Sequence, residues 1–356
     1  VVKRRSPWRR RLAIGAVVLV VGLAGAGGWA WNRYRVALLE PFGTFPADGI
    51  TLEIERGSSV AAILRRLETH GVIADAELAR LWLTRVQGDP PLLAGEYHFA
   101  VPTSGRAVLE RLIRGDVLLH RATVIEGLTL EETAAALSAD GFGDHGRLLA
   151  AMRSPAAIAD LDPLAEDLEG YLFPDTYDFA KGTPEREIVG RMVTAFRHHW
   201  RNTLEPALQS TGDRRTIREV VILASIVEKE ARLDHERAVI AGVYSNRLER
   251  GIGLYADPTV IYGLKRLGRW DGNIRKADLQ LETPWNTYKI RGLPPTPIAS
   301  AGLASLLAAA TPADVPYLYF VSRNDGSHVF TSTLAEHNRE VDRWQRRGRR
   351  QPPPSP

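Results

Sequence analysis

The 356-residue sequence has no cysteine. Disulfides, thiolate metal sites, a cysteine nucleophile and a cysteine-linked lipid are thereby excluded. Neither an H-E-x-x-H helix nor a G-x-S-x-G turn occurs, so the usual signatures of zinc peptidases and of serine hydrolases are missing. His328 and His337 stand nine residues apart, which is not a metal-ligand spacing. Acidic residues are missing from both ends: residues 1–11 hold six Lys/Arg and residues 343–356 hold five Arg, with no acid in either stretch. Removing those 11 from the 46 basic residues leaves 35 against 42 acidic ones, so the formal charge of +4 belongs to the tails. A body that grips phosphates needs basic surface of its own. Nucleic acid is not expected as a partner.

Charge is also missing from Leu12 to Trp31, 20 residues without an ionisable side chain. That is about the ~20 residues that cross a bilayer core as a helix. Lys3, Arg4, Arg5, Arg9, Arg10 and Arg11 precede it, and only Arg33 and Arg35 follow closely. The positive-inside rule puts the N-terminal side in the cytoplasm and everything after Trp31 outside. Ala24-Gly25-Ala26 has the small-x-small form of a signal-peptide cleavage site, the rival reading; the full-length apolar run favours an anchor. The expected organisation is a basic cytoplasmic tail (1–11), a transmembrane helix (12–31), a linker (32–49), a small strand–helix region (50–155), a larger domain (156–345) and a disordered basic, proline-rich tail (346–356).

The fold class predicted is α+β. "TLEIERGSSVAAILRRLETHGVI" (51–73) and "RATVIEGLTLEETAAALSADGFG" (121–143) both read as strand, turn and amphipathic helix ending at glycine. Ser58 or Ser59 and Thr129 occupy N-cap positions, Thr129 with Glu132 forms a capping box, and Gly71 and Gly141 follow the helix ends. Such units resemble LysM-type glycan-binding modules; two ordinary strand–helix units are the alternative. Further on, "LEGYLFPDTYDF" (168–179) reads as neither helix nor strand. Helices are predicted over 185–200, 216–232, 235–250 and 335–347, and strands over 317–322 and 328–331 around an Asp325-Gly326 turn.

"LASIVEKEAR" (223–232) puts two glutamates at the end of a greasy helix. Glu228 leans back over Ala224 and Ser225, which leave room for a ligand, whereas Ile226 and Val227 fill the space beside Glu230. A carboxyl walled by Val221, Ala224 and Val227 keeps its proton more readily, as a general acid must. Taken by spacing alone, two solvated glutamates at a helix end remain the better reading, and Lys229 and Arg232 suit such an end. Three polar-aromatic stretches, 253–264, 285–302 and 328–338, add Asp257, Thr259, Tyr262, Asn286, Tyr288, His328, His337 and Asn338. Amides, carboxylates and flat rings together are what a sugar chain needs.

The ordered motifs "LEGYLFPDTY", "ASIVEKEA", "NRLERGIGLYADPTVIYG", "NTYKIRGLPPTPIASAG" and "HVFTSTLAEHN" closely resemble the endolytic murein transglycosylases, the YceG-like family, over about residues 160–340. The resemblance implies a mixed α+β catalytic domain and a single-pass inner-membrane protein, N-terminus cytoplasmic and catalytic domain periplasmic. It implies an enzyme that cuts nascent peptidoglycan strands internally, beside membrane-bound peptidoglycan synthases, with no metal or cofactor. The family's catalytic glutamate falls on Glu228. Asp257, Thr259, Asn286, Tyr288, His328, His337 and Asn338 become candidates for holding the sugar. Two departures stand out: Tyr255-Ala256 replaces a Gln-Thr/Ser pair, and Thr296 replaces a glycine. A glycan-binding scaffold without activity and a hydrolase of the same bond, with Asp257 as its second carboxylate, are the other readings.

Overall fold

The computed structural model describes residues 7–347, so most of the two charged tails expected at 1–11 and 346–356 lies outside the described residues. The chain divides into two units, one running to His120 with Ala180–Gly182 added, the other holding Arg121–Phe179 and the chain from Thr183 on. The architecture is mixed α+β, with three separate two-stranded sheets.

The first unit begins with α1 (Pro7–Tyr34), followed by β1 (Ile50–Ile54), α2 (Val60–Thr69), α3 (Ala76–Arg85), β2 (Gly95–Phe99) and α4 (Gly105–Arg114). The α1 segment is long and apolar enough to cross a membrane. The linker expected at 32–49 does not begin where α1 leaves its apolar run. The helix continues to Tyr34 and through one wide turn, Arg35–Leu39, whose Ala37 and Leu38 are buried in this unit's core. Arg33 pairs with Asp75, which also caps α3 by accepting from Leu78 N–H at 2.9 Å. Gly105 lies against the Ala37 carbonyl so closely that a β-carbon would overlap it. β1 and β2 pair antiparallel, Ile50 opposite Phe99 and Ile54 opposite Gly95. Ser59 caps α2, and Gly71 follows its end at φ +71°, a backbone state open to glycine.

The second unit holds β3 (Leu119–Thr123) from Arg121 on, α5 (Leu130–Ala139), α6 (His145–Met152), β4 (Thr176–Ala180) as far as Phe179, α7 (Glu185–His199), α8 (Glu205–Ser210), α9 (Ile217–Glu230), α10 (Arg237–Glu249), α11 (Asp257–Arg266), α12 (Leu303–Ala310), β5 (Tyr319–Ser322), β6 (His328–Thr331) and α13 (Leu334–Val341). The second strand–helix segment, grouped by sequence with residues 50–155, belongs here. Its strand pairs with β4, and Leu130, Ala134 and Leu137 of α5 join the core built around α9. The stretch 168–179, expected to be irregular, supplies most of β4, and 253–264 yields α11, whose Pro258 sits in the first turn where no N–H is needed.

Every residue from Val220 to Val227 of α9 is buried, so this helix is apolar all round and runs through the centre of the unit. Thr216 and Glu219 close its N-terminus as a capping box, and α10, α11 and α12 pack against it. Ala231 turns extended at ψ 129°, which ends the helix and leaves Glu228 and Glu230 on its last turn. β5 and β6 form the expected hairpin, Tyr319 opposite Thr331, with Asn324 and Gly326 at positive φ in the turn.

Candidate active site

Backbone close approach builds the surroundings of Glu228. The turn between β3 and α5 is tied to the loop before α12 by Gly127 N–H to Ser300 O (2.7 Å) and Ser300 N–H to Leu128 O (2.8 Å). Lys229 Nζ donates to Gly127 O at 3.0 Å, which fastens the same turn to the end of α9. Ser225, buried in α9, accepts from Ile298 N–H at 3.0 Å and holds the loop from the other side. Gly127 and Gly302, one on each of these loops, lie beside the Glu228 side chain, and the Glu126 carboxylate occupies the space at Gly302 where a β-carbon would stand.

The Glu228 side chain is 7% exposed. One carboxylate oxygen accepts from Arg237 Nη1 at 3.2 Å and the other from Gly302 N–H at 3.0 Å. Arg237 in turn donates to Ser305 Oγ (2.7 Å) and Asp234 Oδ1 (3.2 Å). The purely apolar wall expected from Val221, Ala224 and Val227 is therefore completed by a cation and a helix-start amide. An acid of this kind can exchange protons with a bound group while its position is fixed by two donors.

Glu230 lies two residues on, about 200° around the helix, in a different setting. Tyr244 donates to it at 3.2 Å, and burial, reinforced by the charge of Asp257, pushes its carboxyl up to about 7. This face gathers the aromatic groups. Tyr288 donates to Asp257 at 2.7 Å, Tyr255 lies 5.5 Å from the Tyr288 ring, and Arg247 sits over both Tyr255 and Tyr319. His337 stacks on Tyr319 at 5.3 Å, and burial with the nearby Arg247 holds the imidazole below its usual range.

The sequence matches the YceG-like family over residues 52–343. The chain belongs to that family. It is 31% identical over 326 residues to the endolytic murein transglycosylase of Bacillus subtilis (strain 168), covering 87% of this chain and 89% of that protein. It is 26% identical over 357 residues to the endolytic murein transglycosylase of Streptococcus pneumoniae serotype 2, covering 91% of this chain and 63% of that one. The crystal structure of a putative YceG-like protein from Listeria monocytogenes superposes with a TM-score of 0.55 at 30% identity, covering 83% of this chain and 99% of that one.

For this YceG-like chain, the residues expected at the sugar separate into two groups. Asp257 and Tyr288 are together and reachable, Asp257 being exposed; His337 is half-buried on α13 against Tyr319, which shares Arg247 with Tyr255, and Asn338 is exposed. Three others turn inward. Asn286 is fully buried and its Nδ2 donates to the carbonyls of Leu279 (3.2 Å) and Leu281 (2.6 Å), organising its own loop. Thr259 is buried, bonded to Ala256 O and to Thr287 Oγ1 at 2.9 Å. His328 is buried against Glu236 at 2.7 Å. The two departures from the family pattern also find places. Thr296 Oγ1 accepts from the Trp285 indole at 2.9 Å, and Tyr255 adopts φ +49° with its ring in the aromatic group.

Arg237, Gly302, Ser305 and Glu126 were not singled out from sequence. The residue-level signal for Arg237 was its place at the start of the next helix, nine positions after Glu228. Glu169 lies in the 168–179 motif and carries no such signal. It is fully buried, accepts from Tyr262 OH at 3.1 Å, and has one oxygen without a partner. Gly170, at φ +82°, lets this loop close on Val221 and Pro297, where a β-carbon would clash. Burial pushes the Glu169 carboxyl up to about 8. The folded protein then keeps a proton that the unfolded chain gives up, so stability is greatest below the ordinary carboxylate range and falls as pH rises towards 8. The slope from this one group is up to roughly 1.4 kcal/mol per pH unit. Glu169→Gln is expected to flatten the fall of melting temperature between pH 5 and 8 by several degrees. Parallel wild-type and variant curves would show that Glu169 titrates normally.

Proposed function

We propose that this protein is an endolytic peptidoglycan lytic transglycosylase. It cleaves the β-1,4 bond between N-acetylmuramic acid and N-acetylglucosamine within nascent strands and leaves 1,6-anhydro ends, terminating strand growth. The observation that carries this reading is Glu228: a nearly enclosed carboxylate at the end of the central helix, held by Arg237 and Gly302 N–H and bordered by Gly127 and Gly302.

The reaction needs two proton transfers. One proton must reach the glycosidic oxygen as its bond to C1 of the muramic acid breaks, and one must leave the C6 hydroxyl of that same sugar as it attacks C1. Glu228 is the carboxylate at the centre of these transfers. The sugar's own acetamido oxygen can stabilise the positive charge that develops at C1, so no water is consumed. A hydroxyl on the reacting ring acts at a high effective concentration. Asp257 and Tyr288, with His337 and Asn338, are assigned to positioning the glycan on the aromatic side.

The first unit is read as a LysM-like glycan contact, and membrane-bound peptidoglycan synthases as the source of the strands. The six basic residues before Leu12 favour a cytoplasmic N-terminus and a periplasmic catalytic unit. A C-terminal alkaline phosphatase fusion is expected to be active; an inactive fusion would reverse the orientation. Mass spectrometry of products from the full chain in detergent tests the chemistry: anhydromuropeptides are expected, and reducing ends would indicate a hydrolase.

A further inference from the structure

A second carboxylate stands beside Glu228. Glu126 is exposed in the turn between β3 and α5, and that turn is fixed at two points, by Gly127 to Ser300 and by Lys229 to Gly127. Its carboxylate rests against the α-carbon of Gly302, where any β-carbon would overlap it. The N–H of the same glycine donates to Glu228. The two carboxylates thus flank one residue's backbone. They differ in what they bond to: both Glu228 oxygens already accept a donor, whereas among the described residues Glu126 has no hydrogen-bonded partner.

We propose that Glu126 is a second catalytic carboxylate, which shares with Glu228 the two proton transfers of the reaction. The inference rests on the transglycosylase reading above and divides its chemistry. Glu126, protonated, gives its proton to the leaving oxygen of N-acetylglucosamine as the C1–O4 bond breaks. Glu228, ionised, takes the proton of the C6 hydroxyl as the O6–C1 bond forms. That proton then passes from Glu228 to Glu126, which restores the pair with no net proton gained and no water used. The charges facing Glu126 are Glu228 on α9, Asp234 in the turn before α10 and Arg237 on α10. Partial burial, followed by the charge of Glu228, holds the Glu126 carboxyl above its usual range despite the opposing Arg237, as a donor requires.

The test uses the full chain in detergent, purified glycan strands, and counts of anhydro and reducing ends. Glu126→Gln is expected to lower the rate by about 10²-fold, with glycan binding and melting temperature unchanged and the alkaline limb of the pH–rate profile lost; Glu126→Asp is expected to recover part of the rate. Gly302→Ala supplies an independent arm, since its methyl group displaces Glu126 and leaves the N–H to Glu228 in place. It is expected to lower the rate in the wild-type chain and to cost nothing more in Glu126→Ala. The proposal is overturned if Glu126→Gln stays within about twofold of wild type with the same alkaline limb, or if Gly302→Ala is equally harmful in both backgrounds. Reducing ends from the wild-type protein would instead overturn the transglycosylase reading itself, whatever the variants do.

Discussion

Glu228→Gln is expected to lower cleavage by about 10²–10⁴-fold, the usual contribution of a positioned acid or base. Glutamine keeps the volume of the side chain, and its one oxygen can still accept from either Arg237 or Gly302, which bond to different oxygens of Glu228, so the fold and the glycan contacts are expected to survive the loss of one of the two bonds. What it lacks is a proton that can come and go. The informative comparison is Glu230→Gln. Glu230 lies on the other face of the last turn, bonded to Tyr244 rather than to the loops that border Glu228. Its replacement is expected to leave activity within about tenfold. Rates of anhydro-end formation for both variants, alongside their melting curves, decide the matter. A near wild-type rate for Glu228→Gln with a collapse for Glu230→Gln would exchange the two assignments and place the reaction on the aromatic side.

Arg237→Met is expected to have the largest effect on stability. The Arg237 side chain is 11% exposed, and its guanidinium holds Glu228, Ser305 and Asp234 together. Its removal leaves a buried carboxylate without its cation, a change that typically costs about 3–5 kcal/mol. For a unit of this size that is a fall in melting temperature of roughly 10 °C. The charge logic predicts non-additivity: Arg237→Met combined with Glu228→Gln should be less destabilised than the sum of the single variants, by about 1 kcal/mol or more. Urea unfolding of the four proteins of the cycle measures this. Additive losses would mean that Arg237 matters through packing alone.

What could be read from the sequence was local. The Thr129–Glu132 capping box, the glycines after α2 and α5, the β5–β6 turn and the long apolar helix with Glu228 in its last turn each depend on residues a few positions apart, and each is found where expected. The misplaced features depend on distant partners. β3 joins the second unit because its partner strand lies far along the chain, with Thr123 meeting Thr176. Asn286, Thr259 and His328 stand out by residue type alone, and the groups that bind sugar hydroxyls are the same ones that satisfy buried loop backbone. Only the path of the 278–287 loop shows that Asn286 is already occupied. Glu126 was hidden for the opposite reason: nothing in "VIEGL" signals that a glycine 176 positions later will admit its carboxylate.

The buried turn at Ala37 and Leu38 has a mechanical consequence. A chain that crosses the bilayer through α1 has no slack between its anchor and the first unit. Leu38 lies seven residues beyond Trp31, about 10 Å at helical rise, which is comparable to the depth of one headgroup layer. The first unit would therefore skim the lipid surface instead of swinging on a leash, and any tilt of the membrane helix would become a tilt of that unit. Extra residues inserted after Leu38 would unseat a core plug before they lengthened anything. For a chain so anchored, the encounters of the first unit would become two-dimensional.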